Sequence, residues 1–395
     1  MSCCFYLPNF VKKIEMNKSI RKMLIFICVI LALVIIKIIW VSINMCDIGS
    51  FESEKDDILK RCNYLVEKII TPPNALINSM PESIGAQFQG EWAMYSCFML
   101  STSLENIASL YPETLEQAVH QIDRLIEIVM SPEMRQYDAL RWGEDPLESL
   151  SGNNSHVSYL SILAWMIANY KAVGGSSKYD STYDNICNAM NRRIMESPSL
   201  NIETYPGECI YVPDMLVAIV SLHRYASFHN GKYESTVKNW LEKAKIEWID
   251  SKTGLIASAL PNGSFPIRGS YASLSCYYLT YIDAEFAKDQ YTKLKQTFLQ
   301  KNPATGIREL SDETCWLGFD IDAGPIILNL SPSGTAFAIG PSSFFGDSEL
   351  RTKLLKTAEI AGSSWTWKNQ KHYLLADLAL VGEAITLAMR TSVSR

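Results

Sequence analysis

Residues 152–173 read Gly152-Asn-Asn-Ser-His-Val-Ser-Tyr-Leu-Ser-Ile-Leu-Ala-Trp-Met-Ile-Ala-Asn-Tyr-Lys-Ala-Val173, a turn-forming opening followed by a helix that is apolar on nearly every side. A surface helix needs only one apolar stripe. A segment carrying Val157, Tyr159, Leu160, Ile162, Leu163, Ala164, Trp165, Ile167 and Ala168 is therefore expected to be buried all round. Met215 to Tyr225 has the same character. The segment after it, Tyr233 to Asp250, places Lys238, Glu242, Lys243, Lys245 and Glu247 on a charged face opposite one apolar stripe, which puts it at the surface.

This pairing of a buried helix with an amphipathic one recurs after residue 85, each time behind a segment rich in Gly, Pro and aromatic residues. The openings are Gln89-Gly-Glu-Trp92, Trp142-Gly-Glu-Asp-Pro146, Tyr205-Pro-Gly-Glu-Cys209, Phe265-Pro-Ile-Arg-Gly269, Asp322-Ala-Gly-Pro325 and Trp365-Thr-Trp367. A coarse repeat of this kind marks one supersecondary unit used many times. Helical periodicity predicts twelve helices, at 53–70, 89–111, 114–130, 154–173, 179–196, 212–227, 233–249, 270–286, 287–300, 333–345, 347–361 and 372–390. The expected fold is all-α: six hairpins closed into an (α/α)6 toroid, with an open superhelix as the alternative. The irregular stretches at 134–153, 198–211 and 251–269 would gather around the mouth of a central cavity, where connections of that length are more often functional than spacers.

Ahead of this domain, Met23 to Ile43 is an apolar run interrupted only by Lys37, long enough to cross a bilayer. Lys12, Lys13, Lys18, Arg21 and Lys22 precede it, and Asp47, Glu52, Glu54, Asp56 and Asp57 follow. The positive-inside rule then predicts a cytoplasmic basic tail at 1–22, a signal-anchor helix at 23–43, a connector and first helix at 44–84, and the rest of the toroid at 85–395 outside the cytoplasm, periplasmic or at the cell surface. No clear small-x-small cleavage site follows the run, and Asn44-Met45 before Cys46 is a poor lipobox.

Residues 1–46 hold six Lys or Arg and one Glu, so the remainder carries a net −11 against −6 for the whole chain. With no clustered basic face, nucleic acid is not an expected partner. Cys62, Cys97, Cys187, Cys209, Cys276 and Cys315 are far apart and lack zinc-site spacing, so most read as buried free thiols; Cys3, Cys4, Cys28 and Cys46 belong to the tail and anchor. There is no GxxxxGK[ST], no GxGxxG after a strand, no HExxH, no EF-hand loop and no GxSxG. No cofactor or metal is expected.

Trp142-Gly-Glu-Asp-Pro146 followed by Gly152 to His156, Glu208-Cys209 to Asp214, and Asp322-Ala-Gly-Pro325 resemble the openings of the six-hairpin toroids among carbohydrate-active enzymes. More narrowly, they resemble the linalool dehydratase/isomerase-like group. The resemblance covers roughly residues 85 to 390 and implies the same ring of helices. That group's dehydratase chemistry is associated with two cysteines and a histidine. Here only Cys209 lies in the corresponding loop, and Asp214 stands where the second thiol would be sought.

Read without the resemblance, the openings supply acid–base chemistry. Asp145, Glu208 and Asp214 lie near the starts of different helices, and carboxylates converging on an apolar, aromatic-lined mouth can divide into one acid and one base. Glycoside hydrolysis needs such a pair, about 5 Å apart for retention and roughly 6.5 to 9.5 Å for inversion. Each of these Asp residues is equally suited to capping exposed helix amides. His156 is a candidate general base, and Cys209 a candidate nucleophile with His156 as its partner. Trp142, Glu144, Tyr205, Tyr211, Arg268, Tyr271 and Asp322 are the candidate substrate contacts, with Asp320, Trp316, Trp365 and Trp367 nearby; Arg268 suits a carboxylate or a salt bridge at a helix start. His120, His223, His229 and His372 read as structural. The expected function is a membrane-anchored enzyme acting on a saccharide as hydrolase, lyase or epimerase. The alternatives are a linalool dehydratase/isomerase-like lyase acting on a small alcohol, and a non-catalytic toroid that binds a glycan, lipid or protein.

Overall fold

The computed structural model describes residues 17–45, 48, 50–263, 265–311 and 317–394. Lys12, Lys13, Cys3, Cys4, Cys46, Asp47, Cys315 and Trp316 lie outside these residues. The protein is 66% helix, with 15 α-helices and few short strands among the described residues. It divides into two units, Met1–Cys46 and Asp47–Arg395.

The first unit holds α1 (Lys18–Asn44), capped where Asn17 Oδ1 accepts from the Ser19 amide at 3.0 Å. Its span Lys18–Ile43 has a mean hydropathy of 3.2 and is long and apolar enough to cross a membrane.

The second unit contains α2 (Phe51–Ile69), α3 (Pro73–Asn78), α4 (Ala86–Leu110), α5 (Leu115–Val129), α6 (Pro132–Trp142), α7 (Val157–Ala172), α8 (Asp180–Glu196), α9 (Val212–Phe228), α10 (Glu234–Glu247), α11 (Gly269–Leu279), α12 (Ala284–Phe298), α13 (Pro332–Phe344), α14 (Ser348–Gly362) and α15 (Leu380–Arg390). Four two-stranded antiparallel ladders lie in the connections: β1 (Ile210–Tyr211) with β2 (Ala259–Leu260), β3 (Leu299–Gln300) with β4 (Gly306–Ile307), β5 (Leu317–Asp320) with β6 (Gly324–Ile327), and β7 (Ser364–Trp367) with β8 (Gln370–Tyr373).

The nearly all-apolar segments are the buried ones. In α7 every residue from Val157 to Tyr170 is buried, and Trp165 is fully enclosed. Each such large apolar side chain removed from water contributes about 1.5–3 kcal/mol. Helices α4, α7, α9, α11, α13 and α15 form this buried set, and each packs on the next, with α15 returning to α4. The amphipathic helices flank them: α5 lies against α4 and α7, α8 against α7 and α9, α10 against α9, α12 against α11, and α14 against α13.

Helix α2 completes the series from the other end of the chain by packing on α4 and α15. A buried ionic network fastens it there. Glu54 accepts from Arg351 Nη1 at 2.5 Å and from Arg390 Nε at 2.6 Å, while Arg61 Nη1 reaches Glu383 Oε1 at 2.7 Å and Asp57 pairs with Arg390.

Several stretches depart from expectation: α3 lies in no expected helix, and the helix expected at 270–286 ends at Leu279, with α12 beginning at Ala284. Residues 134–153 are not wholly irregular, because α6 occupies Pro132–Trp142. Ser131 accepts from the Met134 amide at 3.3 Å, Pro132 takes a first-turn position where its missing N–H costs nothing, and Gly143 ends the helix at φ 77°. The helix expected at 372–390 begins only at Leu380, since residues 370–373 pair with β7 and a 3₁₀ turn follows. Cys62, Cys97, Cys187 and Cys276 are buried free thiols.

Candidate active site

Helix α6 sits tightly on α4. A Cβ on Gly90 would stand 2.8 Å from Tyr137 Cβ, so only glycine permits the approach. That contact brings Arg141, in the last turn of α6, opposite Glu91 of α4, with Arg141 Nη2 3.7 Å from Glu91 Oε2. The Arg141 guanidinium lies 3.3 Å from the Tyr205 ring centroid, and its Nη1 is 3.5 Å from Glu208 Oε1. The Tyr205 hydroxyl is buried within hydrogen-bonding reach of Glu91, and that interaction opposes the rise that burial imposes on the Glu91 carboxyl.

Asp214 stands in the first turn of α9, where Pro213 and Asp214 follow the β1 strand. Thr204 Oγ1 donates to its Oδ2 at 2.8 Å. Burial pushes the Asp214 carboxyl up to about 7, the like charges of Asp322 and Glu208 add to the rise, and the Thr204 bond opposes it. Glu91 is likewise pushed up to about 7, first by burial and further by Asp214 and Asp322, against the pull of Arg141. Asp322, in the turn between β5 and β6, is also raised by burial, although it accepts from the Tyr271 hydroxyl at 2.8 Å. Three carboxyls from α4, α9 and the β5–β6 turn therefore feel one another. Tyr95 faces the same three groups and shares a 2.6 Å hydrogen bond with Tyr278.

Arg268 precedes α11 and binds Glu309 Oε1 and Asp320 Oδ1, each at 2.5 Å, leaving Asp322 Oδ2 at 3.8 Å. Gly269 follows it because the chain passes so close to Arg308 that a Cβ would lie 1.8 Å from that carbonyl oxygen. The Tyr211 and Tyr271 rings meet edge to face with centroids 6.1 Å apart, and Tyr211 interacts with the half-buried Cys209. The sequence-derived candidates Glu208, Asp214, Tyr205, Tyr211, Tyr271, Arg268 and Asp322 are thus linked in one neighbourhood with Cys209 at its edge.

Asp145 and His156 belong to a different arrangement. Asp145 Oδ1 accepts from the Leu147 and Glu148 amides at 2.9 and 3.3 Å, and its Oδ2 lies 3.2 Å from Arg135 Nε, so it caps a turn. It is absent from the groups that shift Glu91, Asp214 and Asp322. His156, fully buried at φ 49°, stands just before α7. Its Nδ1 is 2.5 Å from Asp138 Oδ2, and its Nε2 is 3.3 Å from Glu144 Oε1 and 3.2 Å from Ser149 Oγ. Trp142 packs on the ring with centroids 5.3 Å apart. Nδ1 is occupied by Asp138 of α6 and Nε2 by Glu144 and Ser149 of the loop between the helices, which suits a clasp between α6 and α7. Cys209 has no hydrogen bond with His156.

Glu91, Arg141, Tyr95 and Asp138 escaped the sequence reading. Glu91 had a visible signal, since it sits in the Gln89-Gly-Glu-Trp92 opening at a place where the other openings also carry carboxylates. Arg141 and Asp138 had none, because α6 was read as irregular. Among the described residues, no group of three or more His, Cys, Asp or Glu is placed to hold a metal ion. No protein-family model matches the chain.

Proposed function

We propose that this protein is a membrane-anchored (α/α)6 toroid enzyme that uses the carboxyls of Glu91 and Asp214 for acid–base chemistry on a saccharide, as a hydrolase, lyase or epimerase. The cyclic packing of α4, α7, α9, α11, α13 and α15, flanked by amphipathic helices, supports the toroid. On this reading Glu91 near the start of α4, Asp214 in the first turn of α9, Arg268 just before α11 and Asp322 in the turn ahead of α13 would mark one end of the ring as its mouth. The basic residues ahead of the apolar run that starts at Met23 and the acidic residues after α1 favour a cytoplasmic N-terminus with the toroid outside.

One observation carries the chemistry: two carboxyls on different helices are each raised to about 7. The expectation was a pair pushed apart; instead both stand near neutrality. Mutual repulsion between them means that the first ionisation hinders the second, so near pH 7 one serves as acid and the other as base. Tyr95, Tyr205, Tyr211 and Tyr271 supply apolar faces against which a sugar ring stacks. The second reading, a dehydratase/isomerase-like lyase, is favoured by Cys209 beside Tyr211.

The test is turnover by full-length protein in detergent, with neutral oligosaccharides, uronates and terpenoid alcohols as substrates. General acid–base catalysis is typically worth 10² to 10⁴ in rate, so Asp214→Asn and Glu91→Gln are each expected to cut kcat by about that factor. Turnover that survives both substitutions, or that occurs only with terpenoid alcohols and depends on Cys209, contradicts the proposal.

A further inference from the structure

One stretch of the second unit turns large apolar side chains outward. Trp365 and Trp367 on β7, with Leu374, Leu375 and Leu378 in and just after the 3₁₀ turn that follows β8, are between 50% and 69% exposed. The two tryptophans are two residues apart on a strand and so share its face. The stretch is nevertheless firmly built. Tyr373 is buried with its ring centroid 4.2 Å from the Arg61 guanidinium, the Leu374 amide donates to the Ser363 carbonyl at 3.1 Å, and Asn63 Nδ2 of α2 donates to the Asn369 carbonyl at 3.2 Å. A lone two-stranded ladder is marginal in water, so α2 holds this one while its tryptophans stay exposed. Apolar side chains grouped in this way mark a surface that meets something else.

Charge sets the stretch apart from the rest of its unit. Residues 363–376 contain Lys368, Lys371 and His372 and no carboxylate, in a domain of net −11. Lys371 is engaged by Asp57, whereas Lys368 stands exposed in the turn between the strands. The other outward apolar group, Leu317, Phe319 and Ile327 on β5–β6, brackets Asp320 and Asp322 and includes no basic residue. Trp and Leu with Lys at their margin is the composition of a membrane–water interface.

The connector brings a bilayer within reach of this surface. Six residues, 45–50, separate α1 from α2, so Phe51 stays within about 25 Å of the end of α1. The hairpin packs beside Tyr64, whose ring stacks on His372 with centroids 4.0 Å apart. Tyr64 lies about 20 Å along α2 from Phe51 at the α-helical rise, a distance the connector matches.

We infer that the β7–β8 hairpin and the turn after it dock on the surface of the bilayer that α1 enters, with Trp365 and Trp367 at the acyl boundary and Lys368 meeting lipid phosphate. This rests on the reading of α1 as a membrane anchor. A contact this small binds lipid only reversibly by itself. The connector makes it intramolecular and so raises its effective concentration. The domain is then held against the lipid instead of swinging on its connector.

The experiment is tryptophan fluorescence of the full chain in liposomes of phosphatidylcholine and phosphatidylglycerol, with and without brominated acyl chains, which quench rings that reach the lipid. Emission from Trp365 and Trp367 is read as the difference between the parent and Trp365→Phe/Trp367→Phe, and that of Trp40 in α1 as the difference from Trp40→Phe. The pair is expected to be blue-shifted and quenched as strongly as Trp40, and to lose most of that quenching in Leu375→Glu/Leu378→Glu. Should that variant fail to fold, Lys368→Glu at the turn is expected to weaken the quenching in the same direction. Quenching of Trp40 without quenching of the pair overturns the inference and leaves the anchor standing. Absence of quenching at Trp40 sinks the anchor reading and this inference with it. A pair that is blue-shifted but untouched by brominated lipid, with emission that follows the protein-to-lipid ratio, assigns the hairpin to a second copy of the chain and also overturns it. So does a Phe319→Trp probe on β5–β6 quenched as strongly as the pair, because lipid contact would then not distinguish the basic hairpin from the acidic one.

Discussion

Asp214 and Glu91 hold their protons more tightly in the fold than in the open chain, and this has a stability consequence opposite to that of an ordinary ion-paired carboxylate. A raised carboxyl favours folding at low pH, and that contribution is lost as pH rises from the unfolded value near 4 through about 7. Asp214→Asn and Glu91→Gln remove a buried charge that exists only at the higher pH. Each variant is expected to unfold at a higher temperature than the parent at about pH 8, by the equivalent of up to a few kcal/mol, and to show no gain at about pH 4. Thermal unfolding followed by circular dichroism at the two pH values checks this. Loss of stability at pH 8 would mean that both carboxylates are matched by cations in solution. Gains of stability with loss of turnover are the usual exchange at a working site.

Among the elements, α2 has the most to hold together, since it joins the start of the domain to α14 and α15 through Glu54, Asp57 and Arg61. Burial alone would raise Asp57, but Arg390, Arg61 and Lys371 overcome it and hold the carboxyl well below its usual range. Stability from such a group is present above the unfolded value near 4 and is lost as pH falls below it. Removing one member leaves buried charges unmatched, so Glu54→Gln is expected to cost about 3–5 kcal/mol, read as a shift in the denaturant midpoint. A change under about 0.5 kcal/mol would mean that the network is not formed. The twelve long helices were legible because burial on all sides or on one stripe writes its period into composition. Helix α6 was not, since its signal is a short cap, Ser131-Pro132, before a mostly polar segment. Missing α6 hid Arg141 and Asp138, and with them the partner of Glu91 and the clasp on His156. Asp145 shows the converse limit: a carboxylate before proline looks the same whether it caps a turn or lines a site, and only the positions of the Leu147 and Glu148 amides decide.

At the scale of the whole molecule, the first unit holds a helix long and apolar enough to cross a membrane and the second holds the proposed site. Deleting residues 1–45 removes α1 and leaves α2 with its ionic network intact. The truncated protein is expected to move from the membrane fraction to the soluble fraction while unfolding at nearly the same temperature; retention on the membrane would assign anchoring to another surface. The alternation of buried and amphipathic helices was legible in composition, whereas the three-way meeting of α4, α9 and the β5–β6 turn depends on which ends lie together and was not. That meeting is the centre of the account, and it is tested without knowledge of the substrate. Carboxyl carbons of Asp and Glu in the full-length protein are titrated by ¹³C NMR in detergent micelles, with Asp214→Asn and Glu91→Gln used to assign the two resonances. The account predicts midpoints near 7 for both, each falling when the other carboxylate is removed. Midpoints in the ordinary range near 4, unaffected by the partner's substitution, would contradict it.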